Sequence, residues 1–222
     1  MKDFLQMPKV KIPRKSTWVD MTAFVDVAFL ILSFFMLATK FKPEEMVPVT
    51  TPDSVSSQYI EEKNSFMVLM DKGGRVFIQL DPEMREPFIE NLNKTRNLGL
   101  TRKEIKNFKS TGNVGVSFQQ LKPFLAFSPE DQKNFNQTGI PIDSLGGELV
   151  LWIRDVRALV ANKQQVNWFI KGDNQTRYSV FREVLTALKK NDLNKFSLVT
   201  NPIQPPVGTA LYEKKWHKKE YD

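Results

Sequence analysis

A single carboxylate stands inside the most apolar stretch of the chain. Between Met21 and Thr39 there are 19 residues with one ionisable group, Asp26. It lies about five residues, or ~8 Å of helix rise, inside Met21 and roughly 20 Å from the far end. From there its short side chain does not reach the interface comfortably. A charge placed this way costs roughly +2.5 to +3.5 kcal/mol near a helix centre, so something must offset it. Desolvation disfavours the ionised form, and the cheapest local remedy is protonation. A carboxyl that alternates between protonated and ionised states as its surroundings change is a proton carrier. Thr22 and Ser33 lie four residues before and seven after it, which places all three within about 40° on one helical face. The rest of the run, including Phe24, Val25, Phe29, Leu30, Ile31, Leu32, Phe34 and Phe35, is bulky and apolar. A lone polar stripe on one helix faces other protein rather than lipid, so the pattern predicts partner helices around Asp26. A static alternative stays open, in which Asp26 is an assembly contact that never titrates. Asp20 falls on nearly the opposite face at the water interface, as an N-cap or a hydrated carboxylate.

The element that must position this stripe is a membrane span over residues 19–41. At 1.5 Å per residue the apolar run covers roughly 28 Å, close to the hydrocarbon thickness of a bilayer. Trp18 stands at one end, and Lys40, Phe41 and Lys42 at the other, as interfacial anchors. Residues 1–18 hold Lys2, Lys9, Lys11, Arg14 and Lys15 against Asp3, which is +4 of the chain's +7. This bias puts a basic N-terminal segment, residues 1–18, in the cytoplasm and the long C-terminal part on the other side. The long core and the LATKFKP sequence that follows it do not fit a cleaved signal peptide. No second run is long enough to span.

Composition removes other classes. At 222 residues, 41% hydrophobic, the chain supports one domain plus an appendage and is not a multi-spanning transporter. It has no Cys, which excludes a disulfide framework, a thiolate zinc site and an iron–sulfur cluster. One His, His217, lies in a basic tail where no catalytic triad or zinc site assembles. Gly73-Gly74 and Gly146-Gly147 lack the Lys-Ser/Thr of a phosphate loop and read as turns. The sequence therefore predicts no enzyme, no cofactor and no metal, and nothing marks a nucleic-acid surface.

Residues 42–62, with Pro43, Pro48, Pro52 and several Ser and Thr, read as an extended linker. A soluble α+β domain is expected over residues 63–205, followed by a basic tail, residues 206–222. Phe66–Met70 and Val76–Leu80 flank Asp71-Lys72-Gly73-Gly74 as a hairpin. From Ser144, Leu145, Leu149, Trp152, Ile153, Val156, Leu159 and Val160 recur at helical spacing. Val166–Lys171 reads as a strand, Val180 to Leu188 as a second helix, and Phe196–Thr200 as a last strand stopped by Pro202. This order predicts a small mixed sheet with helices packed on one side. Residues 82–143 read as an insertion, with short helices expected at 84–95, 101–109, 119–126 and 129–136, forming a structural cap on the sheet, with an extra binding surface as the alternative. Asp71, Asp81, Asp173 and Asp192 read as ordinary turn aspartates.

The run from Val19 to Val27, with Thr22 and Asp26, resembles the start of the membrane helix in the ExbD/TolR family of ion-driven motor subunits. Asp20 stands where that family has Asn, and Ala23 where it has Pro. Phe66–Asp71 with Gly73–Ile78 is similar to the first hairpin of the family's periplasmic domain. Asn167–Asp173, the helix from about Tyr178 and Phe196–Val199 are similar to its closing strand–helix–strand. The resemblance, most like ExbD, implies a single-pass protein of the bacterial inner membrane with a periplasmic C-terminal domain. It implies that Asp26 carries protons, with Thr22 and Ser33 on the proton pathway or in helix packing. It also implies a homodimer of helices inside an ExbB-type multi-spanning pentamer, and transmission of the proton motive force to a TonB-type protein. A TolR-type subunit and a gliding or flagellar stator are sister assignments. A passive membrane-anchored binding module is the alternative from another class.

Overall fold

The computed structural model describes residues 21–38, 47–56, 63–142, 147–160 and 166–213. The flanks of the apolar run (Trp18, Asp20, Lys40, Phe41 and Lys42), the basic N-terminal segment and the tail around His217 lie outside the described residues, as do Ser144 and Leu145. The chain divides into two units, residues 1–44 and residues 45–222.

The first unit contains α1, Met21–Ala38, whose mean hydropathy is 2.2. Its many aromatic and β-branched residues are mediocre helix formers in water. In hydrocarbon, however, each backbone N–H and C=O must be satisfied within the segment, and a helix does this.

The second unit is built on a four-stranded mixed sheet in the order β3-β2-β4-β5. β2 (Ser65–Met70) and β3 (Val76–Leu80) form the antiparallel hairpin, in register Phe66↔Leu80 to Met70↔Val76. The turn is made by Asp71, whose carboxylate accepts from the Arg75 backbone N–H at 2.8 Å and from Arg75 Nε at 2.7 Å. Gly74 supplies the left-handed conformation (φ 81°) that closes it. β4 (Asn167–Gly172) then runs parallel to β2, and β5 (Ser197–Leu198) parallel to β4. Strand alternation sends Phe66, Val68, Met70, Val76, Ile78, Leu80 and Ile170 to the helical side. Leu69 and Phe77 face the other side.

The helices α2 (Pro82–Arg96), α3 (Arg102–Ser110) and α4 (Phe118–Ala126), with a 3₁₀ turn at Asp131–Asn134, fall on the short helices expected from residues 82–143. The starts of α2 and α3 have local causes. Asp81 caps α2 by accepting from the Glu83 N–H, with Pro82 at the first helical position. Thr101 and Glu104 form a reciprocal capping box on α3. Phe88, Leu92, Phe108, Leu121 and Phe124 share one core with the sheet and with α5 (Gly147–Val160) and α6 (Tyr178–Lys190). At its centre Trp152 stacks on Phe118, centroids 4.7 Å apart, and lies 5.8 Å from Phe88. The insertion is thus part of the core.

Two segments differ from the sequence reading. Residues 47–56, assigned by composition to the linker, pack on the domain. Val47 is buried against Leu69 and Phe77. The Thr50 N–H donates to Asp173 Oδ2 at 2.9 Å, and the Asn174 N–H donates to the Thr50 carbonyl. β1 (Asp53–Ser54) then pairs in parallel with β6 (Asn201–Pro202). The physical reason is an outer sheet face that would otherwise leave Leu69 and Phe77 in water. The strand expected at Phe196–Thr200 is shortened to β5, and a further short strand, β6, follows at Asn201–Pro202, including Pro202, the residue expected to stop it. After the Val199 N–H bonds the Ile170 carbonyl, the chain leaves β4 to pair with β1.

Candidate functional site

α1 carries Thr22, Asp26 and Ser33 on one face, at the four- and seven-residue spacing that keeps side chains in a row. Asp26 and its apolar neighbours are exposed on this helix. Ser33 is half-buried, and its hydroxyl donates to the Leu30 carbonyl at 2.9 Å, the local bond by which a helix accommodates a hydroxyl in an apolar setting. Phe34 and Phe35 meet edge to face at 6.2 Å. A carboxylate amid this surface can give up or accept a proton only if the protein facing it supplies donors, acceptors or water. Among the described residues no group of three or more His, Asp or Glu side chains could hold a metal ion.

The turn aspartates do more than their sequence setting suggests. Asp173 accepts from the Gln175 N–H and the Thr50 N–H, each at 2.9 Å, and these bonds hold its carboxyl below its ordinary pKa. Thr176 bonds the Asp71 carbonyl through its hydroxyl at 3.0 Å, joining the two turns at this end of the sheet. Asp173 is therefore the latch for the segment that follows the membrane helix. Its pairing with Thr50 spans 123 positions, and no local pattern announces it. A carboxyl whose pKa is lowered by folding adds stability that is present above its unfolded value and lost as pH falls through the folded one. Amide exchange at Thr50 and Asn174 is expected to accelerate as pH is lowered below the ordinary aspartate range, after correction for intrinsic exchange. Asp173→Asn should remove that pH dependence and leave Thr50 fast throughout.

An apolar span carrying one carboxylate, followed in the chain by a small α+β domain, is the organisation of a membrane-anchored protein. The family model described as biopolymer transport protein ExbD/TolR matches residues 13–122. The chain belongs to the ExbD/TolR family. The match takes in α1, β1, β2, β3, α2 and α3 and ends within α4, so the closing β4–α6–β5 resemblance lies beyond it. No curated protein matches the chain. No solved structure matches it either. Membership implies energy transduction for biopolymer transport, without enzymatic chemistry, alongside partner membrane proteins.

Proposed function

We infer that this protein is the proton-carrying subunit of an ExbB–ExbD-type complex in the bacterial inner membrane. The single observation that carries this reading is Asp26, alone in the apolar span and aligned with Thr22 and Ser33 on one face. The organisation is a cytoplasmic N-terminus (1–18), a span (19–41), a linker whose distal part docks on the domain, a periplasmic α+β domain and a basic tail. Two copies of α1 sit inside a multi-spanning partner, a pentamer in the family arrangement, whose walls alternately solvate and bury Asp26. Thr22 and Ser33 line the proton path or pack against those walls. The proton enters from the periplasmic side and leaves inward. Each charge moved through 100 mV supplies ~2.3 kcal/mol, similar to the cost of holding a carboxylate in the span, so voltage and environment can together switch its protonation. The folded domain passes the resulting motion to a TonB-type protein. The family description covers TolR equally, and a Tol-type role uses the same Asp26 chemistry.

The test is Asp26→Asn in a strain lacking the native gene. Energised outer-membrane uptake is expected to fall to the level of the deletion, while the variant still copurifies with its multi-span partner. Surviving uptake would contradict the reading and favour a passive anchor.

A further inference from the structure

We propose that the outward face of the helical insertion is a lipid-headgroup contact. In it Arg102, Lys103, Lys106 and Lys122 engage the anionic surface of the bilayer, with Phe127 as an apolar anchor. This goes beyond the motor reading, which assigns the insertion nothing.

Basic charge is concentrated in this part of the chain. Between Lys94 and Phe127 there are seven basic residues and one acidic residue, Glu104. Glu104 is buried, and its carboxylate accepts from the Thr101 N–H at 2.6 Å, so it does not offset the face. Residues 19–222 carry only +3 in all, so this stretch at +6 leaves the remainder net negative at −3. The positive charge of the folded part is therefore local.

These cations differ in what they engage. Arg96 holds Asp155, and Lys109 pairs with Glu86 at 2.6 Å. Arg102, Lys103 and Lys106 are exposed on α3 and have no ion-pair partner among the described residues. Lys122 Nζ donates to the Gly99 carbonyl at 2.7 Å, which brings its charge beside the start of α3 and leaves two of its three N–H donors. Asn107 Nδ2 donates to the carbonyls of Leu125 and Phe127, both at 2.9 Å, fixing the end of α4 against α3. Phe127 is still 47% exposed there. Cations beside a solvated aromatic are the composition of a surface that sits at headgroup level.

The connecting chain is short. Eight residues, 39–46, separate the end of α1 from the docked Val47. Fully extended, that length covers only about 30 Å. The lipid surface is thus always at high effective concentration, and a weak contact suffices.

The chain has no cysteine, so one introduced at Ser110, at the end of α3, can carry a fluorophore. The full chain would be placed in nanodiscs containing a headgroup-quencher lipid. Quenching is expected to be at least about threefold stronger when about a third of the lipid is phosphatidylglycerol than in phosphatidylcholine alone, and to weaken at high salt. Changing Arg102, Lys103 and Lys106 together to Gln, all exposed positions, should abolish the difference, and a label at Lys195→Cys should not show it. Equal quenching in the two lipids, or a difference that survives the triple change, would overturn the proposal. A response to soluble polyphosphate without one to phosphatidylglycerol would overturn it too, in favour of an anionic polymer.

Discussion

Relocating the Asp26 carboxylate by one helical turn is expected to preserve part of the protein's activity, whereas relocating it to the opposite face abolishes it. With Asp26→Ala as background, Leu30→Asp puts the acid about 40° from its original direction and ~6 Å further along the helix. Ala28→Asp puts it about 160° away. Both variants carry the same single charge in the span and differ in composition by one Leu against one Ala, so a large difference between them reports chiefly the direction of the acid. The Leu30→Asp chain should retain measurable energised uptake, and the Ala28→Asp chain should match the deletion strain. Asp26→Asn belongs with the second class, since it preserves shape and hydrogen bonding but cannot change charge. Equal activity from both relocated acids would mean that the stripe of Thr22, Asp26 and Ser33 has no directional role. Lipid is a poor solvent for a carboxylate in every direction except the one where protein stands.

The second large effect concerns the domain core. Arg96→Met is expected to destabilise the domain by about 3–5 kcal/mol, because it leaves the buried Asp155 with only a long contact to the exposed Arg154, Nε to Oδ1 at 3.7 Å. Arg96 Nη2 meets Asp155 Oδ2 at 2.7 Å, Nε meets the same oxygen at 3.0 Å, and the side chains are 19% and 10% exposed. The guanidinium also lies 4.0 Å above the Phe118 ring, which in turn stacks on Trp152. One pair therefore ties α2 to α5 and closes the aromatic centre. Against a total of about 5–15 kcal/mol for a typical domain, such a loss is large. Asp155→Leu added to Arg96→Met should recover most of it, since two apolar groups of similar volume leave no unpaired charge. Guanidinium titration of the detergent-solubilised chain, followed through Trp152 and Trp168 fluorescence, measures both. A single variant within about 1 kcal/mol of the parent would show the pair to be solvated in solution.

The membrane helix is the most legible part of the sequence because its solvent dictates its composition, and Asp26 stands out for the same reason. The β2–β3 hairpin is legible from Phe66–Met70, Val76–Leu80 and the turn between them. α6 is legible from the three- and four-residue recurrence of Val180, Val184 and Leu188. The docking of residues 47–56 is not, since Val47 and Val49 are split by Pro48 and meet Leu69 and Phe77 only after folding. The Arg96–Asp155 pair is hidden in the same way, by 59 positions of intervening chain. Asp173 shows the limit most clearly. Its Asp-Asn-Gln-Thr setting marks a turn, and only the fold reveals that the free oxygen of that turn latches Thr50.

A proton-carrying Asp26 must change its protonation while the complex works. Difference infrared spectroscopy of the chain assembled with its multi-span partner in oriented membranes reads this directly, with Asp26→Asn to assign the band. A protonated-carboxyl C=O band belonging to Asp26 should rise and fall as a proton gradient is imposed and collapsed. A band of constant intensity under every gradient and pH would contradict the account.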